Sequence, residues 1–116
     1  MTLDPLEVHT QLGQEWVIVA VKGELDILTA PDLAAILEAV RGQRRQMVVD
    51  MAAVRFVDAH GLRVLTEEAR AMPEGFVISC PPPLLRRLLA ITGLESAVDL
   101  REHRPRVAGY HSALRF

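Results

Sequence analysis

Long apolar runs are missing from this chain of 116 residues, although 50% of them are hydrophobic. No stretch approaches the roughly 20 consecutive apolar residues that a membrane span needs. No basic segment leads into an apolar one at the N-terminus, so no signal peptide is expected either. Cysteine is almost absent. The single Cys80 cannot close an internal disulfide. Its setting, Ser79-Cys80-Pro81 after an apolar strand, reads as a buried or half-buried thiol and not as a nucleophile. A soluble, cytoplasmic protein is therefore expected. Charge of one sign is scarce as well: 13 Lys and Arg stand against 15 Asp and Glu, a net charge of -2. That balance predicts no general attraction to nucleic acid or to an anionic membrane, and the few aromatics do not interleave with the basic residues. The four histidines, His9, His60, His103 and His111, lack metal-ligand spacing. A Gly-rich phosphate loop is also missing. No metal, cofactor or catalytic constellation is expected, since no nucleophile stands beside Asp26, Asp58 and His60.

What is present is one domain's worth of short strands alternating with amphipathic helices. Leu6, Val8, Thr10 and Leu12 alternate with polar residues, the period of a half-exposed strand, with His9 on its polar side. After a turn at Gly13-Gln14, the run WVIVAV at 16–21 reads as a more buried strand, paired with the first as a hairpin. Thr29 is placed to cap a helix running to about Val40, with Pro31 and Asp32 in its first turn. Leu33, Ile36, Leu37 and Val40 form its inward face, and Gly42 is the expected left-handed terminator. Arg41, Arg44 and Arg45 follow, where cations suit the helix dipole.

A strand at 47–49 ends at Asp50, read as a loop residue. A second apolar piece at 54–57 then leads into a helix through Asp58 and His60. Leu62, Leu65, Ala69 and Met72 give that helix one apolar face, and Arg63, Glu67, Glu68 and Arg70 largely occupy the rest. Phe76, Val77 and Ile78 form a buried strand, and the prolines at 81–83 start a helix with Leu84, Leu85, Leu88 and Ile91 inward and Gly93 as its cap. A weak strand at 97–100 completes the core. The tail at 101–116 reads as a short helix or a free end. Alternating strands and helices imply βαβ crossovers and a largely parallel sheet, made mixed by the initial hairpin.

GELD at 23–26, TAP at 29–31, VVD at 48–50, FVDAHG at 56–61 and ITG at 91–93 resemble, in order and spacing, the successive signatures of a STAS domain, with closest likeness to bacterial anti-sigma factor antagonists. The resemblance covers roughly residues 5 to 100. It implies an α/β fold: one STAS-like domain with a mixed sheet of four to five strands and helices mainly on one side. It also implies a binding role. The expected partner is an anti-sigma factor resembling a histidine-kinase-type ATPase with serine kinase activity, and a homodimer is compatible with it. In that family the loop before the second helix is DSSG-like, and its second serine accepts phosphate. Here the loop is Asp58-Ala59-His60-Gly61, so His60 occupies the acceptor position and the serine hydroxyl is missing.

The expected docking surface joins two loop ends to that helix. Glu24, Asp26 and Thr29 come from the loop before the first helix, and Asp58, His60 and Gly61 from the loop before the second. Arg63, Thr66, Glu67 and Arg70 are expected as the helix's solvent face. Bland readings stand beside these. Asp58 is also a natural N-cap, and Asp26 is also suited to bonding a neighbouring backbone amide. Two other functions remain open: a scaffold subunit of a stress-signalling or lipid-transport complex, and a small regulator with an apolar ligand pocket between sheet and helices.

Overall fold

Alternation governs the first strand. In the computed structural model, β1 (Glu7–Leu12) buries Val8 and Thr10 and exposes His9. The structure describes residues 6–43, 46–104 and, for the backbone alone, 111–115. The expected loose end at 1–5, the cations Arg44 and Arg45, and the tail residues Arg106, Val107 and Tyr110 lie outside the described residues, as do the side chains of Ala113, Leu114 and Arg115.

After β1, the dense apolar run becomes β2 (Trp16–Leu25), antiparallel to it. Then come α1 (Ala30–Arg41), β3 (Gln46–Val57), α2 (Ala59–Ala71), β4 (Phe76–Ser79), α3 (Pro83–Thr92), a short 3-10 turn at Glu95–Ala97, β5 (Asp99–Arg101) and β6 (His111–Arg115). The sheet order is β5-β4-β3-β2-β1-β6. The contacts β2–β3, β3–β4 and β4–β5 are parallel. Residues 7–101 thus build the expected mixed, five-stranded sheet. The tail differs from expectation: instead of a helix or a free end it supplies β6, antiparallel to β1. Without it β1 would be an edge strand with a row of unpaired backbone donors and acceptors.

The helices pack on one face. Val17, Val19, Met47, Val49 and Ile78 of the sheet share one core with Leu33 and Leu37 of α1, Leu62 and Leu65 of α2, and Leu85 and Leu89 of α3. Ile18, Val48 and Val77 point the other way and form a second, small cluster with Trp16. No helix among the described residues is long and apolar enough to cross a membrane.

Three helix expectations are corrected. Thr29 precedes α1 without a side-chain cap bond, because its hydroxyl is engaged in the preceding loop. Gly42 ends α1 at φ -74, in the right-handed region, so no left-handed position is needed there. Ile91, expected inward on α3, is 74% exposed, because the buried face is centred on Leu85 and Leu89 and a residue two past Leu89 falls on the opposite side of the helix. Gly93 does cap α3 in the left-handed conformation, with Leu94 N–H donating to Leu89 O.

The strand that orders the site is β3. It is continuous through residues 50–53, where a loop was expected, and Asp50 is mid-strand. Its register to β2 shifts twice, between Ala20 and Lys22 and between Gly23 and Glu24. Each shift places one extra residue on β3, as a bulge does. Core-facing positions therefore run Met47, Val49, Met51, Val54 and Val57, with the spacing changing from two to three. That broken period makes one strand look like two pieces. Gly23 sits at the second shift with φ 116, a conformation an L side chain resists.

Candidate functional site

The second bulge carries the ends of β2 and β3 together past the rest of the sheet. Leu25 pairs with Val57, and Asp58 N–H donates to Leu25 O at 3.1 Å. The loop before α1 and the start of α2 are thereby joined at one rim. Asp26 and His60 therefore lie at the same rim.

Each loop is hydrogen-bonded within itself. At residues 26–29, Asp26 Oδ1 accepts from Leu28 N at 2.9 Å and Thr29 N at 3.1 Å. Thr29 Oγ1 accepts from Asp26 N at 3.0 Å and donates to Glu24 O at 2.7 Å. Aspartate and threonine thus lock one turn reciprocally. At α2, Asp58 is the N-cap: its Oδ1 accepts from His60 N at 2.8 Å and Gly61 N at 3.1 Å. His60 is exposed, with Nδ1 3.5 Å from Asp58 Oδ2.

Gly61 was expected to let a partner approach. It is buried, and the close approach is within the chain. A Cβ here would stand 2.6 Å from Leu25 Cγ and 2.9 Å from Leu25 O. Gly61 therefore sets how tightly α2 seats on β2.

Along α2, Arg63 and Arg70 are exposed, and Arg63 pairs with Glu67 one turn on at 2.9 Å. Thr66 does not belong to the solvent face. It is 5% exposed, and its hydroxyl donates to Arg63 O. It helps to line a groove of about 370 Å³ between α2 and α3, with Leu62, Leu94 and Arg70. Glu68, grouped with the polar face, is also buried; its two carboxylate oxygens take Arg41 of α1 at 2.8 and 3.0 Å.

Two features escaped the sequence. The first is apolar. Ile27 is 59% exposed, Leu28 65% and Phe56 42%, all at this rim. The signal for Ile27 and Leu28 was an apolar pair inside an Asp-to-Thr turn, where no periodicity calls for burial. Phe56 needed the bulge count, which pairs it with Glu24. The second lies on the sheet's helix-free face. Asp50, 2% exposed, binds the Arg104 guanidinium, accepts from Ala52 N at 3.2 Å and faces Ser79 Oγ at 3.4 Å. Burial pushes the adjacent Cys80 thiol up from its ordinary pKa, and the Asp50 carboxylate adds to the shift.

Residues 8–102 match the family model described as Mlab, STAS domain. The fold is similar to that of an anti-sigma factor antagonist from Mycobacterium paratuberculosis, with 28% identity, a TM-score of 0.76, and 86% of this chain and 90% of that one covered. It is also similar to the Bacillus cell fate determinant SpoIIAA in its phosphorylated form, at 18% identity and a TM-score of 0.63, covering 80% and 89% of the two chains. A sulfate transporter family protein from Wolinella succinogenes shares the fold at 21% identity and a TM-score of 0.62, covering 74% and 75%. No curated protein matches the chain.

Proposed function

This chain belongs to the STAS domain family, and we propose on that footing that it is a cytoplasmic anti-sigma factor antagonist. It acts by binding, not by chemistry: it occupies an anti-sigma factor of the serine-kinase type and so releases a sigma factor for transcription. The likeness to the mycobacterial antagonist over most of both chains supports the reading. The observation that carries it is the rim, where Ile27 and Leu28 of a hydrogen-bonded turn and Phe56 near the end of β3 stand exposed beside the capped start of α2. Apolar groups on hydrogen-bonded backbone favour docking, because little loop freedom is lost on contact.

Regulation at this rim differs from the family pattern. His60 denies a kinase its serine hydroxyl. The two threonines of the surface are poor substitutes. The Thr29 hydroxyl is both donor and acceptor within its loop, and Thr66 is buried. Binding is therefore constitutive at this site, or controlled through the partner. Mass spectrometry after incubation with the anti-sigma factor and ATP tests this, alongside a titration of the pair. Tight binding with unmodified antagonist is expected. Phosphate on Thr29 or Thr66 overturns constitutive binding. A transport ATPase as the tightest partner, with no affinity for an anti-sigma factor, replaces the reading with a scaffold role.

A further inference from the structure

Two surface features of this chain fit each other. The first is the turn at residues 26–29, whose tip presents Ile27 and Leu28 at 59% and 65% exposure. The turn is held by the Asp26 and Thr29 bonds, so these side chains project from a fixed base. Acidic residues flank them: Glu24 near the end of β2 and not in the loop where it was expected, Asp26 in the turn, Asp32 exposed in the first turn of α1, and Asp58 across the rim. The second is the groove of about 370 Å³ between α2 and α3. Ala59, Leu62 and Leu94 give it apolar walls, the buried Thr66 lines it, and Arg63, Glu67 and Arg70 stand at its edge. Arg63 is paired with Glu67, but no carboxylate pairs with Arg70 among the described residues.

An apolar projection with an acidic flank and an apolar groove whose edge leaves Arg70 without a carboxylate are complementary in apolar character and in sign. Both are carried by one chain. We propose that the occupant of the groove is a second copy of this chain, its Ile27–Leu28 turn seated between α2 and α3 and its acidic flank against Arg70. The contact made twice about a two-fold axis closes a dimer. Since Ile27 and Leu28 also belong to the rim, self-association covers the rim and competes with any other protein that docks there. The inference concerns the chain alone and does not depend on the partner named above.

Sedimentation equilibrium of the full chain from micromolar to millimolar concentration reads it out. Wild type is expected to show a monomer–dimer equilibrium that weakens with added salt, because the flanking charges are exposed. Leu28→Lys removes the projection and Ala59→Trp fills the groove; each is expected to weaken dimerisation at least about tenfold, the equivalent of one well-buried apolar anchor. Both sites are exposed, and unchanged thermal melting of each monomer checks the fold. Arg70→Glu gives a second groove variant should Ala59→Trp fail to fold. An equimolar mixture of a projection variant and a groove variant keeps one intact contact, so it is expected to form heterodimer more strongly than either variant alone forms homodimer. Wild type that stays monomeric throughout, a variant that dimerises like wild type, or a mixture no stronger than its components overturns the proposal.

Discussion

The two faces of the sheet are buried by different means. On the covered face, Val17, Val19, Met47, Val49 and Ile78 meet leucines from three helices, and burial is achieved by apolar packing. On the helix-free face the apolar set shrinks to Ile18, Val48 and Val77, partly screened by Trp16. Beside it lies Asp50, a carboxylate only 2% exposed, with its charge answered by Arg104 from beyond β5. The covered face is tolerant in kind, since any well-shaped apolar residue serves it. The helix-free face depends on one matched pair. Arg104 is itself 53% exposed, so only the carboxylate is buried, and removing the arginine leaves that buried charge without its cation.

The largest expected effect tests the covered face. Leu65 of α2 is fully buried in the core. Leu65→Ala is expected to destabilise by about 2–5 kcal/mol, from lost burial plus the cavity it leaves, read by urea unfolding. Next comes the charged latch. Arg104→Ala is expected to cost about 1–3 kcal/mol by stranding the Asp50 carboxylate. Adding Asp50→Asn to that variant is expected to recover part of the loss, because the stranded group is then neutral. If Arg104→Ala melts like wild type, the contrast between the faces fails.

A smaller effect is one of rate. Cys80 lies next to this latch, and its raised pKa leaves less thiolate at neutral pH than an ordinary cysteine has. Alkylation at pH 7 is expected to be slower than for free cysteine and to accelerate only as pH rises through the raised value. The sign for stability follows from the same shift. Folding favours the protonated thiol, so that contribution is complete below the ordinary thiol pKa and disappears as pH climbs through the folded one. The smallest effect belongs to the rim, outside both faces. Ile27→Asp is expected to change stability by no more than about 0.5 kcal/mol, as for exposed residues generally, while weakening any protein contact made there.

Several parts of the site were open to inspection in the linear chain because their physics is local. Asp58 caps α2 through amides two and three residues away, and Asp26 bonds amides within its own turn. The inward residues of α1 and α2 follow from helical period alone. Other parts depended on pairings between distant segments. Thr66 and Gly61 were expected to face a partner, yet they are buried, one beside α3 and the other against Leu25. Their accessibility is decided by neighbours far away in sequence.

Fold class, family signatures and both hydrogen-bonded loop ends were thus legible in the order of residues, because capping, turn chemistry and periodicity act over a few bonds. The continuity of β3, the burial of Asp50 under Arg104, the pairing of the tail with β1 and the exposure of Phe56 and Ile91 were settled only when the strands came together. Bulges and cross-sheet ion pairs depend on which segments become neighbours, and no local rule carries that information.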